Sequence, residues 1–192
     1  MFKKNMAHTA HPIHDLIANR WSPVCLDNDT PVEKEKVDSI LEAARWAPSS
    51  YNAQPWSYIV GFKGDPKHTQ LAACIVEGNS WAKEAPVLML AVANKVFPHN
   101  GKENRHYLHD VGAASVLMAI QATDLGLSLR QMAGFDLDQA RTTFSIPDTH
   151  EPGSMIAIGY CASDLSTCPQ PLQDRDAAPR QRKDFTEMTY GA

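Results

Sequence analysis

The chain has 192 residues, 18 Lys+Arg against 22 Asp+Glu for a net charge of −4, and is 43% hydrophobic and 21% charged. At roughly 150 residues per domain this is one domain, spanning residues 1–192 and burying about two-thirds of its unfolded surface. Such a composition excludes disorder, a disulfide scaffold and a globally basic nucleic-acid binder. The chain is also short for an enzyme with separate cofactor and substrate domains.

Lys3 and Lys4 have no apolar stretch behind them, which argues against a secretory signal. Residues 1–10 are expected to be flexible. The longest apolar run, 85–93, is too short to cross a bilayer as a helix, so no membrane partner is expected. Cys25, Cys74, Cys161 and Cys168 form no C-x-x-C pair, a pattern that suits reduced thiols and a cytoplasmic protein.

A first helix is expected over 11–20. In T-P-V-E, Thr30 reads as an N-cap, Pro31 as the first helical residue and Glu33 as the closing member of a capping box. Val37, Ile40, Leu41 and Ala44 then share one helical face, and Pro48 stops the helix at Ala47. A strand over 57–62 and a helix over 66–76 follow. The segment 86–93 (PVLMLAVA) is apolar on both alternating faces, as in a central strand covered on both sides. The longest helix falls in 104–125, with Gly112 to Ser115 admitting a close neighbour and Gly126 as C-cap. A strand over 127–131, a helix over 137–144 and a strand over 155–160 complete an α+β domain. From residue 162 onward prolines, glycines and charges predict an extended C-terminal arm, 162–192.

Neither G-x-G-x-x-G nor a P-loop nor a G-x-S-x-G elbow is present. Three stretches carry candidate chemistry. Arg20-Trp21-Ser22 can grip a phosphate through a guanidinium and a hydroxyl, or Arg20 can simply complement a helix C-terminus. Residues 47–56, APSSYNAQPW, offer hydroxyls, side-chain amides and backbone N–H groups to a flat heterocycle, or form an ordinary polar connection. In the basic run 175–183, Arg180 and Arg182 lie on one side of an extended chain, as a phosphate clamp or as a solvated tail. The pairs His11/His14 and His106/His109 lack supporting ligands, so no metal is expected. Trp46, Trp56 and Trp81 read as core or interface aromatics.

Taken together, these stretches resemble the FMN-dependent nitroreductase family. Arg20-Trp21-Ser22 is followed by A-P-S-S-x-N-x-Q-P-W, then by Gly78-Asn79-x-Trp81 through Ala85-Pro86, Asp110 to Ala114, and Leu125-Gly126-Leu127. Gly134-Phe135, Ile146-Pro147, Ile158-Gly159-Tyr160 and a basic tail complete the order over residues 12–185. The resemblance implies a central, mainly antiparallel sheet flanked by helices, in an intertwined homodimer with two FMN molecules at the subunit interface. It implies that Arg20, Trp21 and Ser22 line the FMN phosphate and ring edge, and that Arg180 and Arg182 bind the phosphate. Ser49, Ser50 and Asn52 would reach the flavin partly from the other subunit, beside Asn79. Ala133 and Gly134 would form the turn whose backbone N–H faces flavin N5. Val24 departs from the family, which usually has Arg or Lys there; that phosphate contact is lost or supplied by Lys183.

The implied reaction is a ping-pong hydride transfer through flavin N5, from NAD(P)H to a nitroaromatic, quinone or other electron-poor acceptor. No side chain is needed as a catalytic acid or base. The alternatives are another acceptor class on the same fold (aldehyde or enone reduction, dehalogenation) and a flavin-binding or storage protein without turnover.

Overall fold

In the computed structural model, residues 6–191 are described. The expectation for residues 1–10 therefore falls outside them over 1–5. Four strands form one antiparallel sheet in the order β1-β2-β4-β3, with β1 at Trp56–Phe62, β2 at Val87–Asn94, β3 at Ser128–Met132 and β4 at His150–Gly159. The register runs from Phe62↔Val87 to Trp56↔Ala93 between β1 and β2, and from Val87↔Ile158 to Asn94↔His150 between β2 and β4, with a bulge between Leu90 and Val92. β3 joins the far edge with Ser128 opposite Gly159 and Met132 opposite Met155.

The apolar, non-alternating sequence of β2 is explained by its two covered faces. Val87, Met89, Ala91 and Ala93 pack with α2 (Lys34–Arg45) and α4 (Tyr107–Asp124), through Val37, Ile40, Ala44, Val111, Ala114 and Met118. Leu88, Leu90 and Val92 pack on the other side with α3 (Pro66–Ala73) and α5 (Leu137–Phe144), through Leu71, Cys74, Ile75 and Ala140. Each fully buried Leu, Ile or Met contributes about 1.5–3 kcal/mol of transfer free energy, which pins the register. The backbone of α3 lies so close to β1 that a Cβ on Gly61 would sit 2.5 Å from the His68 amide nitrogen. Only glycine admits that approach.

Several expected boundaries shift for local reasons. Helix α1 is Asp15–Asn19, shorter than 11–20, because the His14 ring accepts from the Leu16 N–H and caps it there. Thr30 does not cap α2. Asp27 accepts from the Asp29 and Thr30 N–H groups and the Thr30 hydroxyl, which closes an Asx turn, and the helix starts at Lys34 behind an extended Glu33. Helix α2 ends at Arg45, capped by Trp46, ahead of Ala47. Helix α3 stops at Ala73, and a 3-10 segment over Glu77–Glu84, absent from the sequence reading, leads into β2. Strand β4 begins at His150, five residues earlier than expected. Trp46 is exposed and stacked beside Arg45.

The C-terminal segment is not extended throughout. Asp164 caps a 3-10 turn over Leu165–Thr167, and α6 spans Gln170–Ala177 with Pro171 in its first turn. Proline is compatible with that position, so it starts a helix here instead of breaking one. Leu26 bridges Cys161, the Asp27 N–H donates to the Tyr160 carbonyl and the Ala162 N–H to the Cys25 carbonyl. Segment 24–27 thereby extends the sheet beside the Gly159 end of β4.

Candidate functional site

A pocket of about 390 Å³ opens where the two chain ends meet. It is lined by Arg20, Trp21, Ser22, Arg130, Arg175, Asp176 and the 178–182 stretch that carries Arg180 and Arg182. Of the residues expected at a cofactor, Arg20, Trp21, Ser22, Arg180 and Arg182 thus come together. Arg180 donates to the Ala18 and Arg20 carbonyls at 2.8 and 2.9 Å, tying the C-terminal stretch to the exit of α1. Arg20 donates to the Ser22 hydroxyl at 3.1 Å.

Asp176 on α6 holds the floor. It is buried, and its carboxylate accepts from the Val24 N–H (3.0 and 3.1 Å) and the Cys25 N–H (2.8 Å). Arg130, projecting from β3, donates to the Ser22 carbonyl and lies over the Trp81 ring at 5.5 Å. Val24 is buried, and Lys183 is exposed and does not line the pocket. Of the two expectations for the Val24 position, a lost contact or one supplied by Lys183, the second finds no support in the pocket lining, which includes Arg130 and Arg175 instead.

The pocket gathers like charges in a half-buried setting. Burial, then Arg180 and Arg182, lower the Arg20 pKa. Burial and then Arg175 lower that of Arg130, which Asp176 partly restores. Burial and Arg182 lower that of Arg180. All stay protonated at neutral pH, so like charges are held together against their repulsion.

Two other expected elements lie elsewhere. The Asn79 amide donates to the Gly134 carbonyl at 3.1 Å, and a Cβ at Gly134 would come within 2.5 Å of that amide nitrogen. Asn79 and the Ala133-Gly134 turn therefore form one unit that requires glycine. Ser49, Ser50 and Asn52 belong to a tightly wound loop. The Gln54 N–H donates to the Ser49 hydroxyl and the Ser50 N–H to the buried Asp110 carboxylate, both at 3.0 Å. Tyr51, Asn52 and Gln54 all have left-handed φ of 51°, 51° and 46°, and Tyr51, 81% exposed, sits edge-on to Phe97.

This loop enters β1 at Trp56, opposite Ala93. The arginine pocket lies by the Val87–Gly159 end of the sheet. Six steps along β2, from Val87 to Ala93, separate those two ends of the sheet by about 20 Å.

Sequence reasoning missed Arg130, Asp176 and Asp110. Asp176 could have been flagged as the one carboxylate after Arg175 in a basic run, and Asp110 as an acid inside an otherwise apolar helix. Arg130 carries no local signal.

A profile of the Nitroreductase family matches residues 17–78 and 62–160. The chain belongs to the nitroreductase family. A solved structure described as an oxidoreductase containing FMN is 31% identical, with TM-score 0.90 over 100% of this chain and 97% of the other. An FMN-dependent nitroreductase from Clostridium difficile is 27% identical, with TM-score 0.65 over 78% of this chain and 87% of its own. The oxygen-insensitive NADPH nitroreductase of Helicobacter pylori is 29% identical over 80% of this chain and 70% of its own length. The all-antiparallel sheet flanked by helices is the nitroreductase fold, and among the described residues no helix is long and apolar enough to cross a membrane.

Proposed function

We propose that this nitroreductase-family chain is an FMN-dependent oxidoreductase that uses NAD(P)H to reduce nitroaromatics, quinones or similar electron-poor acceptors. The observation that carries the reading is the convergence of five arginines on one pocket, in a chain whose relatives are named for FMN and for NAD(P)H nitroreduction.

A phosphate monoester fits that pocket. The guanidiniums repel one another until an anion enters, and their planar forks match phosphate oxygens. Arg20, Ser22 and Arg182 supply donors to it, while Arg180 holds the wall in place. Asn79 and the Ala133-Gly134 turn lie where β3 ends and present backbone and amide groups to a flavin ring edge. When bound, FMN supplies ping-pong hydride transfer at N5. Backbone N–H groups at 133–134 and nearby positive charge favour the reduced, anionic ring, so no acid or base residue is required.

The working unit is a homodimer of single-domain chains in the cytoplasm. The placement of the Ser49–Asn52 loop and the arginine pocket at opposite ends of the sheet supports the dimer, because a two-fold axis can bring the loop of one copy to the pocket of the other.

Purified protein should be yellow and should be bleached by NADH or NADPH; a colourless protein that takes up no FMN on reconstitution would sink the reading. The shared site is tested by mixing two chains each weakened for FMN, Arg20→Ala and Asn52→Gly, assayed at an FMN concentration that fills the wild-type site but neither variant's; the second is chosen because glycine keeps the left-handed φ. Random pairing should restore about a quarter of wild-type activity through dimers with one intact site. No recovery would reject the shared site.

A further inference from the structure

We propose that Arg130 is a cofactor-phosphate residue, held in place for that task by the Ser22 carbonyl and the Trp81 ring. The proposal rests on the reading of the pocket as the FMN phosphate site.

Of the arginines lining the pocket, Arg20, Arg180 and Arg182 come from irregular segments at the two ends of the chain, and Arg175 from the exposed side of α6. Arg130 alone stands on a strand of the sheet. The scaffold of a strand defines a side-chain origin more closely than a loop does. Two contacts fix its guanidinium: one N–H donates to the Ser22 carbonyl, and Cζ lies over the Trp81 ring, 5.5 Å from its centre. A guanidinium has five N–H donors. The Ser22 contact uses one edge, which leaves donors for the pocket that Arg130 lines.

A purely structural peg between β3 and Ser22 would not need a charge. The actual group sits half-buried beside Arg175, in a setting that disfavours its protonated form. Asp176 offsets this in part, but that carboxylate is already engaged by the Val24 and Cys25 N–H groups. A dianionic phosphate is the partner that makes the arrangement favourable. The same contact couples recognition to Ser22, since Arg130 grips the carbonyl of the residue whose hydroxyl Arg20 grips.

The test compares FMN with riboflavin, which carries the same ring without the phosphate. Apoprotein is titrated with each flavin and followed by fluorescence quenching, for wild type, Arg130→Gln, Arg130→Lys and Lys183→Ala. For Arg130→Gln, FMN affinity should fall about tenfold to a hundredfold, as for loss of a hydrogen bond between charged partners. Riboflavin affinity should stay within about twofold of wild type, because its binding never used the phosphate contact. Arg130→Lys keeps the charge without the fork and should fall between them, and Lys183→Ala should match wild type. Inorganic phosphate should compete with FMN less well in Arg130→Gln than in wild type.

Unchanged FMN affinity in Arg130→Gln overturns the proposal. So does an equal loss for FMN and riboflavin, which would assign Arg130 a structural role through Ser22 and Trp81. If circular dichroism shows Arg130→Gln unfolded, Arg130→Lys decides by the same ratio. Failure of wild type itself to prefer FMN over riboflavin would overturn the phosphate reading of the pocket, a different outcome from failure of the variant alone.

Discussion

Removal of the Asp176 carboxylate should open the pocket and destabilise the whole chain. The side chain is 4% exposed and receives the Val24 and Cys25 N–H groups at 2.8–3.1 Å. In Asp176→Ala both donors lose their acceptor in a buried setting, at about 1–3 kcal/mol each, so the expected loss is about 4 kcal/mol. In Asp176→Asn one oxygen remains, but an NH₂ group faces the Val24 N–H and the charge assistance disappears, for about 2 kcal/mol. In a chain of this size 1 kcal/mol moves Tm by about 2–4 °C, so the alanine variant should melt about 8–16 °C below wild type and the asparagine variant about 4–8 °C below. Urea unfolding supplies the free energies directly. Asp174→Asn serves as control, because Asp174 is exposed and accepts from Gln170 on the same helix. Limited proteolysis should cut Asp176→Ala within 178–184 faster than wild type. An Asp176→Asn protein within 0.5 kcal/mol of wild type would refute the argument that this carboxylate fastens the two chain ends.

The other expectations are as follows. Arg20→Ala should weaken FMN binding by about 1.5–3 kcal/mol, read by fluorescence titration, with unchanged affinity rejecting its role. Gly134→Ala should displace the Asn79 amide, since the new Cβ would lie 2.5 Å from it; Asn79→Ala should relieve that clash, so a double-mutant cycle by thermal unfolding ought to show coupling. Of the four thiols, the partly exposed Cys168 should react first with an alkylating reagent in native protein at pH 8, and peptide mapping that found Cys161 labelled first would contradict the burial described. Burial pushes the Cys161 thiol up to about 11. An unfolded thiol ionises near 8.5, so between about pH 8.5 and 11 the unfolded chain releases a proton that the folded one keeps, and stability falls as pH rises, by up to about 3 kcal/mol at the top of the window. Cys161→Ala should make that part of the stability profile less steep in urea titrations, the remaining slope coming from Cys25 and Cys74, whose thiols burial also pushes up.

Much of the fold was legible because it rests on patterns with one reading. The doubly apolar β2 and the one-sided face of α2 followed from the residues that the core requires. The boundaries that moved did so where a side chain competes with the backbone: Asp27 taking Thr30 into a turn, and the His14 ring ending the reach of α1. Helix α6 was hidden because Pro169 and Pro171 read as breakers, although a proline in the first turn of a helix removes no bond. The left-handed φ of Tyr51, Asn52 and Gln54 had no local signal, since none is glycine. Arg20 was legible from its place beside Trp21 and Ser22, and Arg180 and Arg182 from the basic run 175–183. Arg130 was not, because what makes it part of the pocket is the pairing of β3 with β4, a relation between residues 128–132 and 155–159 that no local pattern encodes.

On the proposed function, that pairing is how a chain with no phosphate-binding glycine loop builds a phosphate site. A P-loop gathers backbone N–H groups within a few successive residues. Here the donors are side chains drawn from residues 20–22, 130 and 175–182, and three contacts tie these parts of the chain together: Arg180 donates to the Ala18 and Arg20 carbonyls, Arg130 donates to the Ser22 carbonyl, and Asp176 accepts from the Val24 and Cys25 amides. Guanidiniums so arranged repel one another, and the contacts to carbonyls and the carboxylate offset that repulsion. Such a site forms only once the chain ends have docked. Occupancy by a phosphate should therefore stabilise the docking of α6, and the Asp176 variants should lose FMN affinity in proportion to their lost stability.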